Sequence, residues 1–233
     1  MFGAQFLVKI TLVNFRGEMK RKSIQWIVFF CGLSIMSLGI ALVTRGNLGT
    51  TPISTLPLVS AYLTHLTFGQ TTFIINILFV GLQWLLLRKS VNWTILLQIP
   101  MTLAFSFLID FSMGLTEWMQ TDSYIKCLAI SMLGNAVLGA GVALEVFSGA
   151  MVLPGEGLVL AVAKVTQKPF ANLKILNDVT LVILAVLLSW AAFGELRGVR
   201  EGTIISAVFV GIFVKLWLRL ITKLTQTAPA DNA

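Results

Sequence analysis

The chain has 233 residues, 57% of them apolar and 12% charged, with a formal net charge of +7 and a mean hydropathy of +0.89. Soluble domains carry about 25% charged residues, so this composition argues against a water-facing surface and for a lipid-facing one. The basic residues cluster at the ends of apolar runs, as topology determinants do, and not on one face, which sets nucleic acid aside as a partner.

Six runs reach the roughly 17–20 residues that a bilayer crossing needs: 24–44, 70–87, 92–113, 125–146, 172–193 and 202–220. All six tryptophans (Trp26, Trp84, Trp93, Trp118, Trp190, Trp217) lie near run ends, where an amphipathic ring prefers the headgroup level. Two further apolar stretches, 53–65 and 153–165, are too short to cross as regular helices. Each follows a glycine-containing lead-in with a proline, Gly46-Asn-Leu-Gly-Thr-Thr-Pro52 and Ser148-Gly-Ala-Met-Val-Leu-Pro-Gly-Glu-Gly157. Proline is preorganised for a first helical turn, and a preceding Thr or Ser can cap it. Both stretches read as short helices approached through extended backbone. At membrane depth such backbone survives only where protein buries it or a wet cavity faces it, so function is expected there.

The two halves of the chain correspond. A shift of 102 places Gly39, Pro52, Ala61, Thr64 and Phe68 on Gly141, Pro154, Ala163, Thr166 and Phe170, and sets Asn76 against Asp178. The expected architecture is an all-α membrane protein, with about six transmembrane helices plus two short re-entrant or broken ones, in two internal repeats. These run over 24–114 and 125–222, within one transmembrane domain of residues 23–222. Residues 1–22 form an N-terminal segment and 223–233 a tail. The N-terminal segment lacks the order and cleavage site of a signal peptide, and Met19-Lys-Arg-Lys is an alternative start. If both short helices leave on the side they entered, 13 basic residues fall on the side of the N-terminus against 4 on the other, and the repeats are inverted. If they cross, the division is 12 against 5 and the repeats run parallel. Segment length favours the inverted arrangement, with both termini cytoplasmic.

Polar groups inside these runs are the candidate site residues. Asp178 lies six residues into its run with Lys174 one turn earlier, close enough to pair. A carboxylate in a transmembrane helix is costly and marks function by default, although a structural pair near the interface is the simpler account. Glu156 falls in the first turn of the second short helix, where the helix dipole favours an anion; its counterpart Ser54 stands in a neutral cluster with Thr50, Thr51 and Thr55. With Asn47 and Asn76 these complete the expected solute-binding set: Asn47, Thr50, Thr51, Ser54, Asn76, Glu156, Lys174 and Asp178. If both short helices aim their N-termini at the midplane, their free N–H groups suit an anionic or polar solute. Glu156 opposes an anion unless protonated, so the sign of the solute stays open. Asp110, Arg45, Glu145 and His65 have interfacial or structural explanations. Cys31 and Cys127 are isolated thiols in apolar runs, without the spacing of a disulfide framework or a metal site. No HExxH, GxSxG or P-loop occurs, so no enzymatic activity, metal or other cofactor is expected.

The stretch Leu48-Gly-Thr-Thr-Pro-Ile-Ser-Thr-Leu-Pro57, with Phe68-Gly-Gln-Thr-Thr-Phe-Ile-Ile-Asn76 after it, resembles the YczE/YyaS/YitT group of bacterial integral membrane proteins. Gln98-Ile-Pro100, Phe107-Leu-Ile-Asp110, Pro154-Gly-Glu-Gly-Leu158, Lys174-Ile-Leu-Asn-Asp178 and Arg200-Glu-Gly-Thr-Ile204 are similar to further patterns of that group, in order over residues 24–222. The resemblance implies a multi-pass protein of the bacterial inner membrane without an established common substrate. The leading functional expectation is a small-solute transporter or channel with its site between the repeats, with coupling through Asp178 or Glu156. The alternatives are a substrate-binding membrane subunit served by a separate ATPase, and a non-transporting accessory protein. The expected partners are the lipid bilayer, a small polar or ionic solute, and a second copy of the chain.

Overall fold

The computed structural model describes residues 22–88 and 94–226. The N-terminal basic residues Lys9, Arg16, Lys20 and Arg21, the connection with Lys89 and Trp93, and the tail beyond residue 226 lie outside the described residues. Eight α-helices follow in order: α1 (Lys22–Arg45), α2 (Pro52–Leu63), α3 (Phe68–Leu87), α4 (Thr94–Leu115), α5 (Tyr124–Ser148), α6 (Pro154–Thr166), α7 (Phe170–Phe193) and α8 (Glu201–Gln226). A short 3-10 turn, Glu117–Met119, joins α4 to α5, and no strand occurs among the described residues. Six helices, all but α2 and α6, are long and apolar enough to cross a membrane. Their outward faces carry large apolar side chains such as Phe107, Ile125 and Ile204, as lipid-facing surfaces do.

The most extensive contact in the molecule is between α1 and α5, and it fixes the relation of the repeats. A Cβ added to Gly32 would stand 3.0 Å from the Glu145 amide nitrogen, and one added to Gly39 would stand 2.4 Å from that of Leu138. From the other side, a Cβ on Gly134 would meet the Val43 nitrogen at 2.5 Å, and one on Gly141 the Met36 nitrogen at 2.4 Å. Numbers on α5 fall as those on α1 rise, so the helices are antiparallel. The 102-residue shift carries the Gly32–Glu145 contact onto Gly134–Val43 in reverse, and Gly39–Leu138 onto Gly141–Met36. A pseudo-twofold axis therefore crosses this helix pair. An antiparallel α1 and α5 require an odd number of crossings per repeat, which selects six crossings with inverted repeats over eight with parallel ones.

Side-chain bonds show how the short helices return. Thr71 of α3 donates to the Pro57 carbonyl of α2 (2.8 Å), so the two form a hairpin. The Asp110 carboxylate of α4 accepts from the Gly69 amide at the start of α3 (2.7 Å), and Arg45 donates to the Met113 carbonyl (2.7 Å). The ends of α1, α2 and α4 thus share one face with the start of α3, and α2 re-enters. Asp110 also accepts from Thr67, whose hydroxyl and backbone form a capping box with Gln70. Its place is that of a clamp on the α2–α3 turn. α8 runs on to Gln226, and the Trp217 indole N–H donates to the Ala136 carbonyl of α5 (3.1 Å).

Candidate functional site

The short helices start where extended backbone meets proline. Thr51 (ψ 150°) precedes Pro52 and Leu153 (ψ 156°) precedes Pro154, which fixes the first helical φ at no entropic cost. Neither helix has the side-chain cap expected from its Thr or Ser. Thr51 donates instead to the Ser54 hydroxyl (2.9 Å), and the second helix is preceded by Leu153, five residues after Ser148. The two starts touch. A Cβ on Gly155 would lie 2.4 Å from the Ile53 Cδ1, and these residues are themselves a 102-residue pair, so the N-termini meet on the pseudo-twofold axis. There the positive ends of two helix dipoles converge.

Each unwound lead-in is held by the last crossing helix of the other repeat. For residues 46–51, Gly202 of α8 donates its amide to the Leu48 carbonyl (2.7 Å), and Arg200 donates to the Asn47 carbonyl (3.1 Å). For residues 149–153, Gln98 of α4 donates to the Val152 carbonyl (3.1 Å). Gln83 of α3 donates to the Pro154 carbonyl (3.2 Å) and to the Gln98 side-chain oxygen (3.0 Å). Arg200 and Gln98 are counterparts under the shift. Both glutamines are buried. Gln98 satisfies the Val152 carbonyl of the unwound lead-in, which would cost several kcal/mol if left unpaired in hydrocarbon, of the order of 4–8 on a water-to-cyclohexane scale. Gln83 adds a second bond to a carbonyl already in the first turn of α6.

The chemistry of the two lead-ins differs. In the first half the Thr50 hydroxyl is bonded to Thr44 (3.0 Å) and Thr55 donates to the Pro52 carbonyl (2.7 Å). With Thr51 and Ser54 these buried hydroxyls make a neutral, internally paired cluster. Asn47 is not part of it: the residue sits exposed at the end of α1 with a left-handed φ of 52°, where it turns the chain. Asn76 is half-buried on α3, one turn before the Phe79 that lines the meeting point. In the second half Lys174 donates to Asp178 (2.8 Å), with the two side chains 27% and 26% exposed. Glu156, half-buried at the third position of α6, is close enough to Lys174, Asp178 and Glu145 for their charges to act on it. The structure thus gathers Glu156, Lys174 and Asp178, keeps Thr50, Thr51 and Ser54 across the axis, and leaves Asn47 outside. His65 stands exposed on the α2–α3 turn.

Three groups emerge only from the packing. Gln83 and Gln98 are amides inside apolar runs, and that placement is the signal by which paired buried backbone could have been found. Glu145 reads in sequence as an interfacial charge and is buried in the fold. Beneath the first lead-in, Ser131 and Asn135 of α5 and Thr203 and Ser206 of α8 are buried with side-chain atoms that have no hydrogen-bond partner. Gly46 packs on Ser131 and Gly49 on Thr203. The corresponding residues of the other half are Phe29, Leu33, Met101 and Ala104.

Residues 23–219 match the model of a Family of unknown function (DUF6198). No curated protein and no solved structure matches the chain.

Proposed function

The chain belongs to the Family of unknown function (DUF6198), which assigns no activity, and from the geometry we propose that it is a small-solute transporter or channel with its site between the two repeats. One observation carries this reading: two broken helices meet N-terminus to N-terminus on the axis of an inverted repeat, Ile53 against Gly155. Half-helix termini of this kind hold polar or charged groups of a solute, and rocking of one repeat on the other opens the site to each side in turn. The binding groups are Thr51, Ser54 and Asn76 on the neutral side, and Glu156, Lys174 and Asp178 on the charged side. A difference between the repeats favours movement: α3 packs along α4, whereas their counterparts α7 and α8 barely touch.

The resemblance to the YczE/YyaS/YitT group supports placement in a bacterial inner membrane, and the division of basic residues supports cytoplasmic termini. A flux and binding screen in proteoliposomes tests the function. Asp178→Asn and Glu156→Gln are expected to abolish or sharply reduce any solute flux found; unchanged flux in both would remove those residues from the site. The accessory reading has one observation in its favour. The meeting point is closed, with a Cβ on Gly157 only 2.6 Å from the Gln83 oxygen and 2.7 Å from the Gln98 nitrogen. Solute-dependent thermal stabilisation separates the two readings, since an accessory protein shows none.

A further inference from the structure

Glu145 lies three residues before the end of α5 and is 2% exposed. Its Oε1 accepts from the Leu153 amide (3.1 Å), on the backbone that leads into α6. Its Oε2 has no hydrogen-bond partner, and no Lys, Arg or His pairs with it among the described residues. The charge acting on it is Glu156, of the same sign. On α5 itself the other charge is Lys126, near the far end. Elsewhere in the bundle, α1 carries charge only at its ends, Lys22 and Arg45, and α4 only at Asp110. α6 contributes Glu156 and Lys164, and α7 contributes Lys174 and Asp178. α8 carries Glu201, Lys215, Arg219 and Lys223. An ionised carboxylate left unpaired in such a place carries a large desolvation penalty, and removing that charge needs one proton. The four charged positions of this region, Glu145, Glu156, Lys174 and Asp178, correspond to Val43, Ser54, Thr72 and Asn76 in the first repeat, so the device belongs to one half alone.

We propose that Glu145 holds an exchangeable proton on its Oε2, and that Glu156 passes this proton to and from the face at which Lys174 and Asp178 stand. The step is one proton and no electrons: the O–H bond at Glu145 breaks, an O–H bond forms at a Glu156 carboxylate oxygen, and the negative charge moves from Glu156 to Glu145. The anion so formed keeps its bond from the Leu153 amide and lies at the positive end of α6. This rests on the transporter reading, in which the proton is the coupling ion. If Glu145 were only a cap for α6, glutamine would serve as well, because its amide oxygen also accepts from Leu153.

Two measurements on the full chain in lipid nanodiscs test the site without needing a solute. Infrared difference spectroscopy across a pH titration is expected to show a protonated-carboxyl carbonyl band that shifts in heavy water. The band should be absent in Glu145→Gln, displaced in Glu145→Asp and retained in Asp110→Asn. On the unaltered protein, dicyclohexylcarbodiimide, which modifies protonated carboxyls in apolar surroundings, is expected to label the peptide carrying Glu145, and more slowly as the pH rises. A band set unchanged in Glu145→Gln, or no label at Glu145 at any pH, overturns the proposal. The outcomes for the two readings differ. The band and label with no solute flux keep the proton site and remove the transporter. A solute flux that keeps its pH dependence in Glu145→Gln keeps the transporter and removes Glu145 as its coupling group.

Discussion

Helices α3 and α4 close on one another from Gly69 against Ser106 to Gln83 against Gln98, while α7 and α8, their counterparts in the inverted copy, are held apart. The loop between α7 and α8 packs on α2 instead, with Gly198 against Val59, Leu58 and Tyr62, and α2 also touches α8. The closed half bears the neutral hydroxyl cluster, and the open half bears Glu145, Glu156, Lys174 and Asp178. Duplication thus supplied one backbone plan twice, and the two copies diverged in both packing and charge. A symmetric frame filled asymmetrically can occupy two inequivalent arrangements related by exchange of the repeats, the property on which the proposed transport rests.

The largest effect is expected at the axis. Gly39→Leu drives a side chain into the backbone of Leu138, where even a Cβ has only 2.4 Å. Overpacking costs typically about 1–3 kcal/mol and more against rigid backbone, so this variant is expected to lose its folded form in detergent, read as collapse of the size-exclusion peak. Gly81→Ala, where nothing lies within 4 Å, is the control, expected to gain up to ~1 kcal/mol from helix propensity.

Next comes the glutamine pair. Gln83→Leu leaves the buried Gln98 side-chain oxygen without its donor, at about 1–3 kcal/mol for a buried unsatisfied group. Thermal unfolding is expected to show this loss. The double variant Gln83→Leu/Gln98→Leu should fall short of the sum of the single ones, because the two amides bond each other.

Ser206→Ala copies Ala104 of the other half into the unpaired polar group. Deleting a buried hydroxyl that has no partner is expected to raise stability by about 1 kcal/mol. A fall in stability would mark that hydroxyl as engaged. The smallest effect is expected at the ion pair: with both side chains about a quarter exposed, Asp178→Asn should change stability by no more than about 1 kcal/mol while removing solute flux.

Much of this was legible from residue order. The apolar runs gave six crossings to within a few residues, the Thr-Pro and Leu-Pro pairs marked the starts of both broken helices, and the i,i+4 spacing of Lys174 and Asp178 anticipated their bond. The position of Asn47 was not legible, because a residue in a polar lead-in can turn the chain or line the site, and only its left-handed φ shows which. Glu145 was equally opaque. Its distance from a helix end suggests an interfacial charge, yet the antiparallel packing of α1 on α5 buries it, and the turn at Gly149 brings Leu153 back to its carboxylate.

Hydropathy is a property of each segment, so residue order alone marks which segments are apolar enough to cross a membrane and where regular helix stops. The shift of 102 residues likewise revealed a duplication. Whether that duplication is inverted rested on the length of the two short segments and on two nearly equal divisions of charge, because the positive-inside preference is a weak, additive bias. The close approach of Gly32, Gly39, Gly134 and Gly141 decided it. Backbones can touch along a whole helix pair in only one direction, and that contact sets the direction of every other crossing.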